Sequence, residues 1–99
     1  MSAAAAGVEL AADTDFRVSI VDAAGAAAYP VSSFTWLLVS PDVADVEKAT
    51  AIKAFLTWMT GPEAAAMARE LHFAPLPASV AERVTARIAT LKGAGAVLP

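Results

Sequence analysis

Proline and glycine punctuation decides most of what this chain can fold into. Pro41 follows Ser40, Gly61 and Pro62 stand together in Thr60-Gly61-Pro62-Glu63, and Pro75 and Pro77 stud the run Phe73-Ala74-Pro75-Leu76-Pro77. Each proline fixes its own φ, removes a backbone donor and pushes the preceding residue out of helical geometry. The second half is thereby cut into three lengths, each with helical apolar spacing. The first, about 43–59, places Ile52, Phe55, Leu56 and Met59 on one face, with Asp42 or Asp45 positioned to cap it. Gly61 suits the left-handed position after a helix and Pro62 the first turn of the next, which is expected to run to about Leu71 on Ala64, Met67 and Ala68. Ser79 with Glu82 reads as a capping box for the third, whose stripe of Val80, Val84, Ile88 and Leu91 ends at Lys92-Gly93.

The first half reads differently. Residues 3–12 are alanine-rich and have helix propensity, weakened at Gly7. Phe16, Val18 and Ile20 then alternate with Arg17, Ser19 and Val21, the period-two signature of a strand with one covered face. Gly25 marks a turn within 22–28. Residues 29–39, Tyr-Pro-Val-Ser-Ser-Phe-Thr-Trp-Leu-Leu-Val, have strand composition, and the continuously apolar end suits a strand covered on both faces. Pro30, without a donor, belongs at its start or edge. The expectation is an α/β chain forming a single partial domain over 1–99: an N-terminal helix or loop at 1–14, two strands within 15–40, three helices within 42–92 and a frayed tail at 93–99.

Composition narrows the function. The chain is 58% hydrophobic, yet polar residues interrupt every longer run, and no stretch approaches the ~18 apolar residues a spanning helix needs. Seven basic and ten acidic residues, with no basic stripe, argue against nucleic acid as a partner. The absence of cysteine excludes thiol nucleophiles, disulfides and cysteine-based zinc sites within the sequence. The N-terminus lacks a positive n-region and carries Glu9 in what would be the apolar stretch, so it does not read as a signal peptide.

Chemistry-bearing residues do not assemble into a site at this level. His72, the one histidine, sits between Leu71 and Phe73 without sequence-adjacent partners and reads as a helix-end residue. Ser32, Ser33 and Thr35 lack a nucleophile-elbow context and are expected to satisfy local backbone or point to solvent. Trp36 and Trp58 read as core or interface, and the glycines form no phosphate-cradling loop. The later acidic residues fall mostly at first-turn or capping positions. The reading is of a chain without enzymatic activity, catalytic residues, metal ligands or cofactor.

The longer motifs carry a resemblance. Tyr29-Pro30 with the serine and aromatic run after it, Phe55-Leu56-Thr57-Trp58, Gly61 opening a helix, and the stretch from Leu71 to the Pro-Leu-Pro at Pro75–Pro77 occur in order across about 15–88. In this the chain resembles the C-terminal portion of the phosphate-binding proteins of ABC-type phosphate importers, in the periplasmic-binding-protein family. Gly61-Pro62-Glu63 stands where that family usually has Gly-Gln, and His72-Phe73 where it often has Gly-Tyr. The resemblance implies the C-terminal part of lobe I of a type II periplasmic-binding-protein fold, with two strands, three to four helices and an incomplete sheet. It implies a hinge crossing at Tyr29, Pro30, Val31 and Ser32. It also implies a phosphate-transport role at a periplasmic or cell-surface location, with inorganic phosphate and an ABC permease as partners in the full-length context only. The family's phosphate-holding motifs have no counterpart here, so no ligand-binding residue is transferred. The alternative is a structural remnant that associates through its sheet edge or apolar helix faces, as a homodimer or with a complementary N-terminal chain.

Overall fold

The structure, a computed structural model, describes residues 2–99. It is a small mixed α/β arrangement whose elements run α1 (Ser2–Ala6), β1 (Asp42–Val43), α2 (Val46–Met59), α3 (Pro62–Glu70), α4 (Ala78–Ala89), β2 (Lys92–Gly93) and β3 (Ala96–Val97).

The three long helices lie where proline and glycine set them. Asp45 caps α2, its carboxylate accepting the Lys48 amide at 3.1 Å, while Asp42 falls one element earlier in β1. Gly61 and Pro62 open α3 as N-cap and first-turn proline, but Gly61 is extended (φ −84°, ψ 172°) and not in the left-handed conformation expected after α2. At its end the Phe73 amide donates to the Ala68 carbonyl at 2.8 Å and the His72 amide to that of Arg69 at 3.0 Å, with His72 left-handed at φ 62°. That pair of bonds is a Schellman closure. The capping box does not form: α4 begins at Ala78 with Pro77 as N-cap, so Ser79 already lies inside the first turn and no side chain caps the helix. Of the anticipated stripe, Val80 and Ile88 are buried and Val84 and Leu91 half-buried.

The tail at 93–99 is an ordered hairpin and not frayed. β2 pairs parallel with β1, Asp42 against Lys92 and Val43 against Gly93, and antiparallel with β3, giving the order β1-β2-β3. Ala94 (φ 49°) and Gly95 (φ 82°) form the turn, both left-handed as a tight two-residue hairpin requires. The Asp42 carboxylate holds it by accepting the Gly95 amide at 3.0 Å. Leu98 is buried, and the Lys53 ammonium donates to its carbonyl at 2.9 Å, tying the tail to α2.

The two strands expected within 15–40 do not form as a paired ladder. Phe16 (φ 64°) and Asp22 (φ 51°) are both left-handed, so the 16–22 stretch begins and ends in turns. Between them the alternation survives as burial: Phe16 and Val18 are half-buried and Ile20 buried, while Arg17, Ser19 and Val21 face solvent. Ile20 joins Ala4 and Ala5 of α1 in a small cluster flanked by Val8, Ala23, Ala28 and Phe34. The helix at 3–12 is correspondingly short, stopping before Gly7. Residues 34–39 are extended but have no strand alongside them, and a strand without a partner gains none of the ladder bonds that define it.

Candidate functional site

The segment 29–40 joins the α1 cluster to the helices. The Asp22 amide donates to the Pro30 carbonyl at 2.8 Å, closing the loop around Gly25. Ser32 is 2% exposed, and its hydroxyl donates to the Tyr29 carbonyl at 2.8 Å, so a buried polar group is satisfied within its own turn. Tyr29 and Val31 project outward on either side of Pro30. The Ser33 hydroxyl donates to the Phe34 carbonyl at 3.2 Å. Both serines are thus committed to backbone oxygen, as their sequence context suggested.

Beyond this turn the chain is extended and apolar. Phe34 packs on the α1 cluster and meets Trp36 edge to face, ring centroids 6.3 Å apart. The Trp36 indole donates to the Phe16 carbonyl at 2.8 Å, anchoring the segment at one point. Val39 is half-buried, but Leu37 is 57% and Leu38 98% exposed. The expectation of a strand covered on both faces is therefore overturned, because nothing among the described residues lies over Leu37 and Leu38. No backbone amide or carbonyl from Thr35 through Val39 has a partner among the described residues.

Beside this edge, α2 turns apolar surface outward. Leu37, Leu38 and Val39 face Ile52, Phe55 and Leu56 across a groove of about 460 Å³, in which Lys48 is the one charged lining residue. Of the predicted α2 face, Ile52 and Leu56 are half-buried while Phe55 and Met59 are exposed; Ala49 is the buried position. The Phe55 and Trp58 rings stack 6.1 Å apart, and the Trp58 indole donates to Glu63 at 3.1 Å, bracing the α2–α3 corner. Both tryptophans remain partly exposed, on surface and not in core.

The charged groups are dispersed. Glu47 and Glu63 lie in the first turns of α2 and α3, but Glu70 ends α3 and Glu82 lies inside α4. His72 is exposed, and its backbone amide, not its ring, meets the helix carbonyl. Arg17 pairs with Asp15 at 2.6 Å. The Arg17 backbone amide, then its guanidinium, holds the Asp15 carboxyl below its ordinary value. Among the described residues, no three His, Asp or Glu side chains gather as a metal-holding group, and no helix is long and apolar enough to cross a membrane.

Sequence reasoning missed the roles of Asp42 and Lys53, which hold the C-terminal hairpin from outside it. The Ala94-Gly95 pair was the available signal, since glycine at the second turn position suits the required positive φ. No protein-family model matches the chain, and neither the curated proteins nor the solved structures contain a match to it.

Proposed function

We propose that this chain is part of the solute-binding component for inorganic phosphate of an ABC-type import system, where it completes one lobe of a two-lobed fold and supplies no phosphate ligand. The observation that supports this reading most is the segment 34–39: extended, uncharged, exposed at Leu37 and Leu38, and without backbone partners from Thr35 through Val39 among the described residues. Such a segment has the form of a central sheet strand whose neighbours come from elsewhere. His72 adds to it, since its left-handed backbone is the conformation that glycine, the resembling family's usual residue there, adopts without strain. On this reading Tyr29, Pro30, Val31 and Ser32 form the hinge crossing, the permease is the partner of the complete protein, and its location is periplasmic or at the cell surface.

The test is calorimetric. The 99-residue chain should bind no inorganic phosphate, whereas a polypeptide extended by the segments that would carry the ligand motifs should bind one per molecule. An extended polypeptide that folds yet binds no phosphate removes the proposal. The second reading, an association remnant, rests on the same bare edge and predicts that result.

A further inference from the structure

We propose that the 99-residue chain pairs with a second copy of itself through the segment 34–39, forming a closed two-fold dimer. This rests on the chain's own surface and not on the phosphate reading. Three observations carry it.

The first is the backbone. From Thr35 through Val39 every amide and carbonyl lacks a partner among the described residues, and the segment contains neither proline nor glycine. An extended stretch of this kind is a template for strand addition. Antiparallel self-pairing is isologous: one edge of the segment meets the same edge of its copy, so the pair closes about a two-fold axis with alternate backbone groups bonded.

The second is charge. The chain carries a net −3, which opposes self-association over most of its surface, but residues 31–41 contain no charged side chain. This stretch approaches its copy without like-charge repulsion.

The third is area. The chain exposes 6951 Å². A folded monomer of its 10.1 kDa is expected to expose about 5,300 Å². The surplus, roughly 1,700 Å², falls in the range of about 1,000–2,500 Å² that each partner contributes to obligate dimers. Leu37, Leu38 and the α2 groove with Phe55 supply apolar surface contiguous with the edge.

A two-fold axis normal to an antiparallel pair matches residues of the same parity, so Trp36 and Leu38 share one face across the interface. Sedimentation equilibrium on the intact chain should give a dimer. Hydrogen exchange should show every second amide within residues 35–39, those on the paired edge, protected at high concentration and exposed on dilution. Leu38→Lys, at a position almost fully exposed in the monomer, should leave far-ultraviolet circular dichroism unchanged and weaken dimerisation about a hundredfold, because two leucines lose their burial. A monomer at all concentrations overturns the proposal. So does open-ended assembly, or a dimer indifferent to Leu38→Lys whose 35–39 amides stay exposed. Failure of an extended polypeptide to bind phosphate would remove the solute-binding reading and leave the dimer standing.

Discussion

A left-handed backbone at His72 costs a residue with a Cβ about 1–2 kcal/mol. The Schellman closure of α3 requires that conformation whatever the side chain, because the Phe73 and His72 amides reach back to Ala68 and Arg69 only through it. His72→Gly should therefore stabilise the chain by roughly 0.5–1 kcal/mol once glycine's larger unfolded-state entropy is deducted, and so raise the thermal midpoint. A destabilised variant in a calorimetric scan would mean that the imidazole contributes packing of its own. Asp15 gives a prediction in pH. Its carboxyl is held below the ordinary value by the Arg17 amide and guanidinium, so the contribution is present above the unfolded-state value and lost as pH falls through the folded one. An NMR titration should find the Asp15 carboxyl ionising below the ordinary aspartate range, with the Arg17 amide resonance moving in step. An ordinary Asp15 value would show that this turn does not persist in solution.

At the scale of elements, the C-terminal hairpin is held by close approach. A Cβ at Gly93 would lie 2.9 Å from Leu98 Cδ2, 3.3 Å from Ala49 Cβ and 3.4 Å from the Val46 Cα. The leucine contact is the far end of a flexible side chain, but the two α2 atoms are fixed by the helix. Gly93→Ala should cost about 1–3 kcal/mol in urea unfolding and loosen the tail from α2, and a neutral result would mean that the hairpin is not seated there. Asp45→Ala should cost about 1 kcal/mol by removing the α2 cap. The helices were legible in the sequence because a helix makes its bonds within itself, and Pro41, Gly61, Pro62, Pro75 and Pro77 state where those bonds stop. Strands are legible only by halves. The alternation of Phe16, Val18 and Ile20 foretold which side chains would be covered, but not whether a second backbone would lie alongside. Two-residue strands such as β2 and β3 are too short for any periodicity, and their one local sign was a glycine in the turn. The Ser79 box failed for a nearby reason: Pro77 is itself an acceptable residue to precede a helix, so α4 starts ahead of the serine.

For the whole molecule, the deciding quantity is how little is covered. The radius of gyration is 14.7 Å where a compact chain of this length has about 13 Å, and the molecule measures 46 × 29 × 17 Å. Its buried hydrophobic residues are Ala4, Ala5, Ile20, Ala49, Val80, Ile88 and Leu98, with alanine making up nearly half of them. Alanine burial adds little transfer free energy, and a chain of this length must offset a conformational entropy of order 100–200 kcal/mol. The apolar groups that would offset it best, Trp36, Leu37, Leu38, Phe55 and Phe73, are on the surface. Stability therefore depends on what covers them, and anything that binds the folded form alone raises stability by mass action. If a second copy supplies the cover, the unfolding midpoint must climb with protein concentration, and Leu38→Lys must flatten that dependence while leaving the midpoint at high dilution unchanged. A concentration-independent midpoint together with a denaturant slope typical of a fully packed domain this long would indicate that the exposed segment folds back in solution and buries itself.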